Sequence, residues 1–357
     1  MVVFTSILIR ILKKLAEEQP KGVLPIKANI KDVAKKAGVS ITSVSLVLNN
    51  KPNNLSEKTK KRIFQVAKEL NYMPNYFAKS LKTNKSRVMG VLLPTLTNPF
   101  FSTFASQLNF FARKAGYTIL INEYNPDIGN VQDAIAIFLK YNVAGVIIIQ
   151  FNLSEEISLI LSDLNIPFVI ADNARDFPNK DYSSVLVDNF EGGVIATEYL
   201  IENGHKKIGC YTGPFEFLST QERILGYEHA LKNHDIDEKF FYEGNYGLGN
   251  EDEAFAYFIE NQCSAIFSLN DVMALGLYKA ARKKNIIIPD QISIIGFDNI
   301  DVSELVFPEL TTIDQSLNHI SENAINILIK NIKNNKYHKD VLIKPKLISR
   351  NSVLDIT

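Results

Sequence analysis

Residues 29–48 read NIKDVAKKAGVSITSVSLVL, and this stretch sets the organisation of the chain. Asn29 can cap a helix over 30–37, in which Ile30, Val33, Ala34 and Ala37 share one apolar face. Gly38-Val39-Ser40 then reads as a tight turn. Glycine supplies the positive φ, Val39 packs inward, and Ser40 caps the next helix. That helix, 41–48, buries Val44, Val47 and Leu48 and points Thr42, Ser43, Ser45 and Leu46 elsewhere. A third helix starts at Ser56 and runs to Leu70, with Ile63, Val66 and Ala67 inward. Helix, glycine turn and short second helix make a helix-turn-helix pattern, although a three-helix protein-binding module would be built the same way.

Charge favours the first of these. The formal net charge of the 357 residues is zero, but it is unevenly spread. Residues 27–87 hold 14 Lys and Arg against three acidic residues, residues 1–26 carry +2, and residues 88–357 carry −13. A basic module joined to an acidic body suits a polyanion partner, with Lys31, Lys35, Lys36, Lys51, Lys58, Lys60, Lys61 and Arg62 available to phosphates. A solvated lysine-rich face would give the same count, so charge alone only nominates nucleic acid.

The composition, 46% hydrophobic and 22% charged, is that of a globular protein and excludes disordered, collagen-like and disulfide-scaffold classes. The length suits two or three domains at ~100–200 residues each. Apolar runs such as 143–149 fall far short of the ~20 residues of a membrane span. Two cysteines, Cys210 and Cys263, suit a reducing cytoplasm and read as inert thiols. No CxxC or HExxH spacing appears, so neither metal nor cofactor is expected. Residues 1–27 place their basic residues after the apolar run, the reverse of a signal peptide, and read as an extension outside the fold.

From Arg87 the pattern becomes a β/α alternation. Segments 88–93, 117–121, 145–149 and 168–171 read as buried strands, separated by helices over 101–114, 131–141 and 154–164. The scheme restarts with strands 207–211, 265–268 and 292–295 and helices 221–232 and 271–284. This predicts two parallel sheets covered on both faces, with a ligand cleft at the carboxyl ends of the strands. No GxGxxG or P-loop follows a strand.

IKDVAKKAGVS, SVSLVLNN and LSEKTKKRIFQVAKELNYMPNYFAKSL together resemble the DNA-binding headpiece of the lactose-repressor (LacI/GalR) family over about sixty contiguous positions. The resemblance implies a headpiece at 28–73, a hinge helix and linker at 74–87, and a core at 88–357. Major-groove reading maps to Ile41, Thr42, Ser43 and Leu46, with Lys31 and Asn49 also at the DNA. The hinge that enters the minor groove maps to Asn75, Ala78, Lys79 and Leu81, the leucine acting as a wedge that kinks the duplex. Leu46 departs from the family's usual Arg or His. It offers a base only apolar contact, for example with a thymine methyl, or it packs against the headpiece.

VDNFEGGVIATEYLIENGHKKIG, QERILGYEHAL, NDVMALG, PDQISIIGFDN and PELTTIDQ extend the resemblance through the core, which is also similar to ribose-type periplasmic sugar-binding proteins. The implied architecture is α/β: an all-α headpiece plus a periplasmic-binding-protein-like core of two doubly wound parallel-sheet subdomains. Implied effector contacts are Phe100, Phe101, Asp172, Asn173, Arg223, Asn270, Asp298 and Gln315. The rings would sandwich a sugar's apolar face, and the polar groups supply paired donors and acceptors. Asn173 replaces an Arg common in that group. Each residue also has a plain structural reading: the two rings as core, Asn270 as a helix cap, Arg223 as a surface ion-pair partner, Gln315 as a cap.

The expectation is a cytoplasmic, non-enzymatic repressor of a carbohydrate-use operon. It would bind a pseudo-palindromic double-stranded DNA operator as a homodimer, respond to a small sugar effector, and need no membrane. A transport receptor has no use for the basic module, and an enzyme lacks an accompanying nucleophile or metal. A global catabolite regulator using a phosphocarrier protein as co-repressor stays open.

Overall fold

The computed structural model describes residues 28–48, 51–72, 86–124, 131–149, 160–172 and 182–357. The 1–27 extension, Asn49, Asn173 and the hinge residues Asn75, Ala78, Lys79 and Leu81 lie outside them, as does most of the helix expected over 154–164. The chain divides into two compact units, Met1–Ser86 and Arg87–Thr357.

The first unit holds helices α1 (Ile30–Ala37), α2 (Ile41–Leu48) and α3 (Glu57–Glu69). Asn29 and Asp32 form a reciprocal capping box at the start of α1, and Gly38 (φ 62°) closes it in the left-handed region. The Ser40 hydroxyl accepts from the Ser43 N–H at 3.1 Å and starts α2, and Ser56 caps α3. Val33, Val44 and Ile63, one from each helix, meet at the centre of a small apolar core.

In the second unit the first sheet is six-stranded and wholly parallel, in the order β11 (Asp340–Ile343), β5 (Ser183–Val187), β4 (Phe168–Asp172), β3 (Val146–Ile149), β1 (Val88–Leu93), β2 (Thr118–Glu123). Alternation within β1 sends Met89, Val91 and Leu93 to one face. There they pack with Phe104 and Leu108 of α4 (Pro99–Lys114) and with Leu328 of α10 (Leu317–Lys333). Leu92 packs on the other face with Ile135 and Phe138 of α5 (Val131–Lys140). Gly90 is required beneath Phe138, because an added Cβ would come within 2.8 Å of its ring.

The second sheet is four-stranded and parallel, β7 (Phe240–Glu243), β6 (Ile208–Thr212), β8 (Ala265–Ser268), β9 (Ser293–Ile295). It packs with α6 (Asn189–Glu202), α7 (Leu218–Asn233), α8 (Glu251–Glu260) and α9 (Asp271–Lys283). The chain passes between the sheets three times: at Asp188, after β10 (Thr312–Asp314), and between β11 and β12 (Lys346–Ile348). β10 and β12 pair antiparallel.

The fold is the expected two-sheet α/β core following a helix-turn-helix unit in the sequence, with corrections in detail. The first sheet has six strands where four were read. β5 and β11 are 156 positions apart in their pairing, and Asp340 accepts from both the N–H and the hydroxyl of Ser184, at 3.1 and 2.6 Å. β7 was missed because it is a short, half-buried edge. α7 begins three residues earlier than expected, at a Phe217 N-cap that makes no side-chain cap bond. Both cysteines are buried. Burial pushes the Cys263 thiol up to about 12 and that of Cys210 well above its ordinary value, so neither is a nucleophile. Among the described residues no helix is long and apolar enough to cross a membrane, and no His/Cys/Asp/Glu cluster could hold a metal.

Candidate functional site

The carboxyl ends of β1 and β6 each lead into a loop and then a helix, and both loops are held in the same way. Glu123, paired with Leu93 at the end of β2, accepts from the Leu96 N–H at 3.1 Å. Glu243, paired with Thr212 at the end of β7, accepts from the Phe215 N–H at 3.0 Å. Each glutamate sits on the neighbouring edge strand and fixes the loop that introduces cleft residues.

Between these strand ends lies a cavity lined by Asn98, Phe100, Phe101, Asp172, Arg223, Tyr246, Asn270, Asp298 and Gln315. Phe100 and Phe101, edge to face at 5.2 Å, belong to the core of the first sheet and also wall the cavity. Asn98 Oδ1 caps α4 by accepting from the Phe100 N–H at 3.0 Å. Asn270 Oδ1 caps α9 through the Met273 N–H at 2.8 Å, and its amide donates to the Tyr246 carbonyl at 3.0 Å. Its capping role and its place in the cavity are therefore compatible.

The electrostatics centre on one guanidinium and two carboxylates. Arg223 is 4% exposed, which removes its reading as a surface ion-pair partner. It lies in the second turn of α7. Its Nε donates to Asn189 Oδ1 at 2.9 Å, its Nη1 donates to the Leu269 carbonyl at 2.5 Å, and the guanidinium stacks 3.7 Å over Phe297. Asp172, the last residue of β4, and Asp298, three residues beyond β9, are both buried and both have positive φ, 79° and 121°. Strained backbone of this kind collects where side chains must be aimed. Burial pushes the Asp172 carboxyl up to about 6 against the opposing pull of Arg223. Burial also holds Asp298 well above the usual carboxylate range. Gln315 Nε2 donates to Asp298 Oδ1 at 2.6 Å, which leaves Gln315 Oε1 buried with no protein partner. Gln315 is one of the residues lining the cavity.

Comparison with known proteins finds matches at both ends of the chain. The description "Bacterial regulatory proteins, lacI family" matches residues 29–75, and a periplasmic binding protein-like domain matches residues 197–353. The HTH-type transcriptional repressor PurR of Vibrio campbellii is 37% identical over 335 residues, covering 91% of this chain and 98% of the relative. The chain belongs to the lacI family. It is a DNA-binding transcriptional repressor, not an enzyme. The lac repressor dimer bound to operator and the anti-inducer ONPF shares the fold, with a TM-score of 0.81 at 24% identity, covering 92% of this chain and 99% of that one. A LacI family regulator from Enterococcus faecium, with bound ribose, is 26% identical at a TM-score of 0.69, covering 76% of this chain and 100% of that one.

In this lacI-family repressor α2 is apolar on two faces. Val44 and Val47 enter the headpiece core, while Ile41 is 44% exposed and Leu46 is half-buried. The partly buried hydrophobics packed on that core are Ile30, Val39, Leu48, Leu55, Leu70 and Tyr72. Among the described residues, Leu46 is not one of these. Thr42 and Lys31 are exposed, and the Ser43 hydroxyl lies 2.9 Å from that of Ser40.

Seven of the eight predicted effector contacts therefore surround one cavity, and Asn173 lies outside the described residues. Two lining residues stand outside that set: Asn98, just ahead of the two phenylalanines, and Tyr246. Tyr246 sits at positive φ (63°) in a glycine-rich loop, and its hydroxyl lies 2.6 Å from that of Thr220. The only signal was the glycine-rich run GNYGLG, with Gly244 before Tyr246 and Gly247 and Gly249 after it, which permits such a turn.

Proposed function

We propose that this repressor takes a free, neutral sugar of the pentose class in the cavity, and that the ligand changes operator affinity and so controls a carbohydrate-use operon. The observation that carries this reading is the surplus of acceptors. Asp172, Asp298 and Gln315 line a space bounded by two phenylalanine rings, with one guanidinium to counter the carboxylates. Hydroxyl groups satisfy acceptors on several sides at once and leave a C–H face for the rings. A phosphate would meet two carboxylates set against a single guanidinium. The ribose held by the Enterococcus faecium relative supports the same class. Two headpieces of a homodimer would read the pseudo-palindrome, with Ile41, Thr42, Ser43 and Leu46 at base edges, Lys31 and Asn49 beside them, and Asn75, Ala78, Lys79 and Leu81 in the hinge.

The test is thermal unfolding in the presence of pentoses, hexoses, disaccharides, sugar phosphates and purines. The expected result is stabilisation by D-ribose or another free pentose of about 2.7 kcal/mol at one hundred times its Kd. Kinship with repressors named PurR makes purines the class to test against it. Stabilisation by a purine alone would replace the sugar, and silence across the panel would favour the phosphocarrier co-repressor.

Sugar affinity should also depend on pH. Hydroxyls donate to the ionised form of Asp172, whose carboxyl is raised to about 6 with Arg223 and Glu222 as charged neighbours and with Asp298 on the same cavity wall. Affinity is therefore expected to rise about tenfold from pH 5 to pH 7 as that proton leaves. Calorimetric titration at pH 5, 6 and 7 checks this, and a flat profile would remove ionised Asp172 from the binding step.

A further inference from the structure

We propose that Asn189 is a positioning residue that ties the cleft arginine to the first crossing between the sheets. The inference rests on reading the cavity as the effector site. Asn189 is the first residue of α6 and only 1% exposed. Its side-chain amide is used from both ends. Oδ1 accepts from Arg223 Nε at 2.9 Å, while Nδ2 donates to Glu222 Oε2 at 3.2 Å and to the Val187 carbonyl at 3.4 Å. Val187 is the last residue of β5 in the first sheet, and Glu222 and Arg223 are neighbours on α7 against the second. One planar amide thus joins the strand that leaves one sheet to the cation the other sheet presents to the cavity.

The chemistry selects asparagine. Arginine has five N–H donors and no acceptor. Spending Nε on Asn189 and one Nη1 hydrogen on Leu269, with the ring of Phe297 beneath, fixes the plane of the guanidinium and leaves Nη2 for the ligand. Alanine at 189 would leave the buried Nε–H unpartnered and return torsional freedom to the side chain, so ligand binding would have to order it. Aspartate would keep the acceptor for Arg223 but set a carboxylate against Glu222 and the Val187 carbonyl. Leucine would keep the volume and lose both functions. The backbone repeats the link one turn on, where a Cβ at Gly193 would run into the Arg223 carbonyl. A shift of the crossing at Asp188 therefore moves Arg223, and by linkage a ligand that holds Arg223 biases the crossing.

The experiment reads the arginine directly. In ¹⁵N-labelled full-length protein, the Arg223 side-chain Nε–H signal, assigned through its loss in Arg223→Lys, should exchange slowly with solvent. Asn189→Ala and Asn189→Leu should each lose that protection, whereas Asn189→Asp should retain it. D-ribose titration of the same proteins should show affinity lowered about tenfold or more in the alanine and leucine variants and largely rescued in the aspartate variant. Protection retained in both the alanine and leucine variants would overturn the assignment. So would unchanged sugar affinity once protection is lost in a wild type that binds ribose. If the wild type ignores ribose, the sugar reading fails, while the exchange comparison still decides whether Asn189 holds Arg223.

Discussion

Arg223→Ala is expected to lower effector affinity at least a hundredfold, about 2.7 kcal/mol or more, and with it the ligand's effect on operator binding. The size follows from burial. The guanidinium is the charge that opposes Asp172 and Asp298 inside the cavity, and removing one partner of a buried charged set costs about 3–5 kcal/mol because the remaining charges lose their compensation. The carboxylates would hold their protons to higher pH, converting acceptors for sugar hydroxyls into donors. Titration calorimetry with the stabilising ligand, together with operator binding measured with and without it, gives the answer. A response at the same ligand concentration as wild type would show that the effector sits elsewhere.

Gly226→Val is expected to destabilise the core by about 3 kcal/mol or more, a large share of the roughly 5–15 kcal/mol that holds a typical domain together. Helices α6 and α7 meet backbone to backbone. A Cβ at Gly226 would run into the Phe190 carbonyl and come within 2.8 Å of the Val194 nitrogen. Neither obstacle is a flexible side chain that can rotate away, so the helices must part. Because α7 carries Arg223, the same displacement would withdraw the guanidinium from the cavity. Urea unfolding monitored by circular dichroism measures the loss, and a change below about 1 kcal/mol would mean the helices can separate at little cost.

The headpiece was legible because its signals are local. Asn29, Gly38, Ser40 and Ser56 each act within four residues of themselves, and the apolar faces repeat at helical spacing. The central strands were legible as short runs of valine, isoleucine and leucine. What escaped depends on partners far along the chain. Buried Ser183 and Ser184 do not resemble a strand until Asp340 and Lys339 supply their hydrogen bonds. Asp298 lies past the end of β9 at Ile295, where the chain follows β10 through an isolated bridge to Asp314. Tyr246 and Asn189 carry no periodicity, and their roles exist only once α7 and α9 have packed. The resemblance to a known family supplied the cavity residues; periodicity alone gave only their places at strand ends and loops.

The threefold passage of the chain between the sheets sets an order of assembly on the ribosome. The second sheet is complete in sequence at Ile295, yet the first waits for α10 and for its edge strand β11 at Asp340–Ile343. The half whose strands are made first is therefore finished last. Until those final residues emerge, β5 exposes an unpaired edge and the apolar face under α10 has no cover. A ribosome stalled near residue 315 would carry a headpiece with its own core beside a first sheet that cannot close, so a truncated product should be cleared by proteolysis before it could occupy an operator unresponsive to ligand.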